Sequence, residues 1–161
     1  MPEKETLQRA EQDKREGKSP STQAGEFVRE EIHHIREGKH GAKSAKQAIA
    51  IGLSKARRAG VDLAPPKKGS VSEKTRKSAV RDSKRGYSRK KKTVSARRSR
   101  SSEAALKREP RAAASHKALS RQAKSAARTR KKSAAKTTQF AQDAVETQGR
   151  LEISGDKKSL S

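Results

Sequence analysis

Apolar residues recur at helical spacing in one part of the chain, residues 19–64, and they predict two helices there. The first helix begins at Ser19-Pro20, because serine is a good N-cap and proline is tolerated in the first turn. Gly38 is a natural C-terminal stop for this helix. The residues that it contributes to the predicted core are Phe27, Val28, Ile32 and Ile35.

The second helix begins at Ser44, which forms a capping-box pattern with Gln47, and Gly60 ends it. Gly52 lies on its apolar face. Because glycine is a poor helix former, we expect Gly52 to permit a close approach of the first helix. Together the two helices predict a hairpin of about 40 residues, close to the lower size limit of an independently stable domain. The residues that the second helix contributes to the predicted core are Ile49 and Leu53.

Outside this hairpin the chain offers little material for a core. Hydrophobic residues make up 29% of the sequence and charged residues 37%, with two Phe, one Tyr and no Trp. Such a composition does not offset the entropy of ordering the full length. We therefore expect an all-α protein, a small two-helix hairpin with a largely disordered Ser/Ala/Lys/Arg-rich tail. The expected parts are a polar N-terminal segment (1–18), the helical hairpin (19–64), a basic disordered tail (65–138) and a polar C-terminal segment (139–161).

The positive charge is concentrated in the predicted tail. The net charge of the chain is +24, and residues 67–138 hold 26 Lys and Arg against 4 Asp and Glu, a net charge of +22. Charge of one sign at this density attracts polyanions, since each phosphate contact releases condensed counterions. Tyr87 is the only aromatic residue in this stretch, so base stacking on single strands is not indicated. The composition favours nucleic acid as the partner, with DNA ahead of RNA.

Candidate contact residues lie in the second helix and in the tail. Lys43 and Lys46 flank a helix N-terminus, where free N–H groups suit a phosphate. In the tail, basic residues of the run at 115–136 repeat every three to four positions, and we expect this run to gain helix when phosphates remove the repulsion. The predicted nucleic-acid contacts are Lys43, Lys46, Lys55, Arg57, Arg58, Arg89, Lys90, Lys91, Lys92, Arg97, Arg98, Arg100, Arg121, Lys124, Arg128, Arg130, Lys131 and Lys132.

The hairpin sequence resembles a bacterial family built on a domain of unknown function. The run at 19–61 carries the motifs EFVREE, HHIREGKHGA and KQAIAIGLSKARRAG, and the run at 105–132 is similar to the basic tails that accompany that domain. The tail is also similar in composition to linker-histone tails. The resemblance implies a domain boundary, and some members of the family are labelled DNA-binding.

Several other classes of function find no support in the residues. Cysteine is absent, and no nucleophile, positioned base or paired carboxylates in an apolar setting indicate an enzyme. The glycines before Lys43-Ser44 do not have P-loop spacing. His33, His34 and His40 are the candidate metal ligands. His33 and His34 are adjacent and point about 100° apart on a helix, and no histidine pair has i, i+4 spacing, so we expect neither a metal site nor a cofactor. No apolar run approaches the length of a membrane span or a secretory signal.

The sequence thus predicts a non-enzymatic, largely sequence-independent DNA-binding protein of histone-like character. Its expected location is the cytoplasm, in association with the nucleoid, and a homodimer through the hairpin is one expected assembly. An RNA- or ribosome-associated factor would use the same charges. A protein-interaction adaptor would use the apolar face of the hairpin. Sequence-specific reading by a helix-turn-helix is disfavoured, because the six-residue loop exceeds the usual turn of about 3–4 residues.

Overall fold

The structure is a computed structural model, which describes residues 2–88 and 95–155, with side chains through 135 and at 137 and 138. Over these residues the protein is all-helical, which confirms the predicted class. None of the helices in the described ranges combines the length and apolar character of a membrane crossing. The elements are α1 (Lys4–Arg15), α2 (Pro20–Glu37), α3 (Ala45–Arg58), α4 (Glu73–Tyr87), α5 (Ala96–Lys107), a 3-10 turn (Arg111–Ala114) and α6 (His116–Gly155).

Helices α2 and α3 begin and end where the sequence places them. The Ser19 side chain accepts a hydrogen bond from the Thr22 N–H, and Gly38 ends α2 in the left-handed region at φ 81°. The Ser44 side chain caps α3. A Cβ atom on Gly52 would lie 2.7 Å from the Val28 Cα, so the predicted close approach of the two helices is confirmed.

The prediction that the folded unit is a two-helix hairpin is wrong, because α1, α4 and the 3-10 turn also pack on α2 or α3. Helix α1 lies within the segment expected to be only a polar extension. It packs through the small side chain of Ala10 and through an ion pair between Arg9 and Glu26, with 2.8 Å between Nε and Oε2. Neither feature appears as an apolar stripe, so the hydrophobic pattern does not reveal this helix.

The basic segment at 65–138 also differs from the expected disordered tail, since most of its described residues are helical. Helix α4 is capped by the Ser72 side chain and buries Ala79. The Ser54 hydroxyl donates a hydrogen bond to the Asp82 carboxylate, which joins α4 to α3. Polar contacts and one alanine therefore dock a helix that has no large apolar face. The first compact unit of the chain extends to Leu119, and a second begins at Ser120 within α6.

The core of the first unit consists of two small clusters of buried residues. Among the predicted core residues, Phe27 and Ile35 are fully buried, and the rest (Val28, Ile32, Ile49 and Leu53) are partly buried. Alanine supplies most of the remaining interior, so the helices lie close together. The first cluster is Ala10, Ala24, Phe27, Ala56 and Val61. The second cluster is Ile35, Ala42, Ala48, Ala113 and Ala114.

Candidate nucleic-acid interface

Lys43 and Lys46 are exposed at the start of α3, as a phosphate contact requires. The capping pattern predicted there is present in a modified form. The Ser44 hydroxyl accepts a hydrogen bond from the Gln47 N–H at 3.3 Å, and Gln47 Oε1 accepts one from the Lys43 N–H at 2.9 Å. The Gln47 side chain thus reaches one residue beyond the usual capping box and fixes the approach to the helix.

Lys55 lies inside the fold and not on its surface. Its Nζ is 3.1 Å from Glu30 Oε1 and 2.7 Å from Glu31 Oε2, and the Lys55 side chain is only 17% exposed. This ammonium group is shared between two buried carboxylates, and it is therefore not presented to a phosphate.

Arg57 is likewise occupied within the protein. Its guanidinium donates hydrogen bonds to the carbonyls of Leu63 and Ala64 at 3.3 and 3.2 Å, which ties down the segment after α3. Burial lowers the pKa of Arg57, and the nearby carboxylate of Asp82 partly opposes this shift. Arg58 remains exposed and donates to the Ser54 carbonyl at 3.1 Å.

The end of α5 and the turn that follows are anchored to the loop between α2 and α3. The Gly41 N–H donates to the Leu106 carbonyl at 2.9 Å, and the Ala42 N–H donates to the Pro110 carbonyl at 3.1 Å. Arg36 Nε donates to the Ala114 carbonyl at 3.0 Å. Helix α5 is thereby held at its C-terminal end. The predicted contacts that it carries, all exposed, are Arg97, Arg98 and Arg100.

Helix α6 presents an uninterrupted basic face in its first half. Arg130 is exposed as well, but it points away from this face. No Asp or Glu occurs between Glu109 and Asp143, so the chain offers these cations no acidic neighbour along the helix. Five exposed cations, the α6 stripe, fall within an arc of about 100° and extend about 17 Å along the axis. The α6 stripe consists of Arg121, Lys124, Arg128, Lys131 and Lys132.

The remaining predicted contacts, Arg89, Lys90, Lys91 and Lys92, lie outside the described residues. Three groups of predicted contacts are exposed in the described part of the chain: Lys43 with Lys46, the three arginines of α5, and the α6 stripe. Lys55 and Arg57, in contrast, are turned into the protein.

A cluster of ionisable side chains that the sequence did not predict lies beside α2. Its centre is Glu31, which is fully buried. His40 Nε2 lies 3.3 Å from Glu31 Oε1, and the rings of His34 and His40 meet edge to face with 6.2 Å between their centroids. One ligand atom from each of these three residues lies within 4.8 Å of the other two. The Glu31–His34 spacing of three residues on a helix was the available signal, while the contribution of His40 depends on the loop.

The carboxylates around this cluster are held in the charged form. Burial raises the pKa of Glu30, but hydrogen bonds from the Glu3 N–H, the Thr6 hydroxyl and Lys55 together outweigh it, so that this pKa is lowered. The hydrogen bond from His34 and then the one from Lys39 lower the pKa of Glu3 to about 2. His34 Nε2 is 2.8 Å from Glu3 Oε1.

Comparison with known proteins gives one match. Residues 14–68 match a family of unknown function, DUF6496. The matched segment contains α2 and α3, and it ends before α4. No curated protein and no solved structure matches the chain.

Proposed function

We propose that this protein is a non-enzymatic nucleic-acid-binding protein whose helices α5 and α6 contact the phosphate backbone with little dependence on sequence. The observation that carries the proposal is the α6 stripe, a row of exposed cations in a stretch without acidic residues. Neutralised phosphates would remove the mutual repulsion of these side chains and release counterions. Lys43 and Lys46 supply a second, smaller group of cations.

DNA is the preferred partner over RNA, and the nucleoid the expected location. The only tyrosine of the chain, Tyr87, donates its hydroxyl to Asp62, and the chain has no tryptophan, so aromatic platforms for unpaired bases are scarce. Contacts through long, flexible cations to the backbone suit a regular duplex and do not read its sequence. An RNA- or ribosome-associated role remains the nearest alternative, because it would use the same cations.

The adaptor alternative has less support from the geometry. It requires an apolar hairpin face that is open to a partner. Phe27 and Ile35 are fully buried, because α1 and the 3-10 turn of the same chain cover that face. The same burial weakens the proposal of a homodimer through the hairpin.

Fluorescence anisotropy of the full chain on labelled duplex DNA and on RNA of equal length, each across a salt series, tests the proposal. We expect log K to fall steeply and linearly with log salt, with a slope of about −0.9 for each phosphate neutralised on duplex DNA. Duplexes of different sequence should bind with similar affinity. Absence of binding to both nucleic acids at physiological salt would overturn the proposal, and tighter binding to RNA would favour the alternative.

A further inference from the structure

We infer that Glu31, His34 and His40 form a binding site for a transition-metal ion such as Zn²⁺. The three residues come from two places in the fold: Glu31 and His34 lie three positions apart on α2, and His40 follows in the loop. Residues at this spacing share one helix face, so both can reach a single ion. The loop that carries His40 is fixed by its backbone hydrogen bonds to Leu106 and Pro110.

The second nitrogen of each histidine ring is already held by an acceptor. His34 Nε2 faces Glu3 Oε1 at 2.8 Å, and His40 Nδ1 faces the Gly41 carbonyl at 3.1 Å. Such contacts fix the tautomer of metal-ligating histidines and orient their rings. They leave His34 Nδ1 and His40 Nε2 directed toward the carboxylates of Glu30 and Glu31.

The buried carboxylate of Glu31 supplies an independent observation. Its side chain is 0% exposed, and neither of its oxygens has a hydrogen-bond partner among the described residues. Lys55 lies 2.7 Å from Oε2, an ionic contact without hydrogen-bond alignment. One lysine stands against the two buried carboxylates of Glu30 and Glu31, which leaves one negative charge to be compensated.

The donor set selects the kind of ion. Two imidazole nitrogens and one carboxylate oxygen suit Zn²⁺ or Co²⁺, whereas Mg²⁺ and Ca²⁺ prefer oxygen ligands alone. Ligands that each lie about 2.1 Å from one ion are at most about 4.2 Å apart. The present separations, up to 4.8 Å, therefore need to close by only about half an ångström. Water or Glu30, whose Oε1 lies 3.9 Å from His34 Nδ1, completes the coordination.

Titration of the metal-free full chain with Co²⁺, followed by visible absorption, tests this site without nucleic acid and so independently of the proposed function. We expect one equivalent of Co²⁺ to give ligand-field bands that Zn²⁺ abolishes and Mg²⁺ does not. His34→Ala and His40→Ala should lose the bands. His33→Ala is the matched control and should keep them, because His33 is 68% exposed and pairs with Glu37.

Circular dichroism in chelator shows whether each variant folds. If His40→Ala unfolds, His40→Gln decides, because it keeps a polar side chain but not the imidazole. Glu3→Gln should weaken Co²⁺ binding by about 10- to 100-fold through the orientation of His34. Absence of bands in the natural chain would overturn the site, as would equal binding in folded His34 and His40 variants.

Discussion

Helices α2 and α6 both carry many charged residues, but they place them in opposite environments. Helix α2 turns Glu26, Glu30 and Glu31 inward, where they pair with Arg9 from α1 and Lys55 from α3. Helix α6 carries cations without carboxylates over residues 116–135, and these cations are exposed. The charges of α2 hold helices together, whereas those of α6 are available to another molecule.

The difference between α2 and α6 means that the number of charged residues in a segment does not indicate their role. What separates the two regions is the position of the carboxylates. Lys55 was predicted as a nucleic-acid contact because it is basic, yet it lies in the interior, where it pairs with two acidic residues of α2. Residues 116–135 of α6 include no acidic residue, and there the same side-chain type remains exposed.

The largest expected effect comes from removal of the internal cation. Lys55→Met leaves the buried carboxylates of Glu30 and Glu31 without their shared partner, and it should lower the free energy of unfolding by about 3–5 kcal/mol. Lys46→Met is the matched control, since Lys46 is an exposed cation on the same helix. It should change stability by no more than about 0.5 kcal/mol.

Urea unfolding in chelator, followed by far-ultraviolet circular dichroism, measures both variants. Addition of Glu31→Gln to Lys55→Met should recover part of the loss, because it removes one of the uncompensated charges. Equal stability of the Lys55 and Lys46 variants would show that the α2 carboxylates do not depend on Lys55.

The role of the α6 stripe is tested by measuring its contribution to the affinity for DNA. Replacement of all five residues of the α6 stripe by Gln, a good helix former, should weaken duplex binding on the order of a hundredfold at low salt. The slope of log K against log salt should become shallower by up to about 4.5. Anisotropy on one labelled duplex gives both quantities.

A control variant removes the same charge from elsewhere. Its five positions are exposed, and none forms an ion pair within the described residues. If both variants lose affinity equally, the attraction belongs to the net charge of the chain and not to the α6 stripe. The control replaces Lys4, Lys14, Lys67, Lys68 and Lys74 by Gln.

The sequence predicted those features of the fold that follow local rules. The caps at Ser19 and Ser44, the stop at Gly38 and the close approach at Gly52 each depend on one residue type and its immediate neighbours. It failed where polar or small residues join distant elements. Helix α1 docks through Arg9, and α4 through Asp82 and alanine, none of which belongs to an apolar stripe.

The candidate site was predictable to a similar extent. Exposure of the α6 cations follows from a stretch without carboxylates, and the sequence shows that directly. The internal role of Arg57 depends on the carbonyls of Leu63 and Ala64, and that of Lys55 on another helix. The cluster with His40 requires a loop whose position is set by residues more than sixty positions later in the chain, at Leu106 and Pro110.

A pair of glycines tests the packing of α2 on α3 with opposite expected signs. In Gly52→Ala the new Cβ would lie 2.7 Å from the Val28 Cα, so overpacking should lower the free energy of unfolding by about 1–3 kcal/mol. This loss should exceed the gain of about 1 kcal/mol from the higher helix propensity of alanine. In Gly25→Ala the Cβ meets nothing within 4 Å, so the same replacement on α2 should stabilise by up to about 1 kcal/mol. Thermal unfolding of both variants is the measurement. A stabilising Gly52→Ala would show that the two helices lie farther apart.

The smallest expected effect concerns the contact that brings the end of α4 to the segment after α3. The Tyr87 hydroxyl donates a hydrogen bond to Asp62 Oδ1 at 2.7 Å, and this bond, with burial, raises the pKa of Tyr87 above its usual value of about 10. Because the pKa is raised in the folded state, the contact contributes fully below the unfolded pKa and is lost as pH rises through the folded pKa. Asp62→Ala should lower the pKa of Tyr87 toward its usual value. Near-ultraviolet absorbance reports this directly, since the chain has one tyrosine and no tryptophan.

Glu103→Ala, which removes a carboxylate that pairs with Lys107 on α5, should leave the titration unchanged. A Tyr87 titration that Asp62→Ala does not move would mean that the end of α4 does not contact the segment after α3.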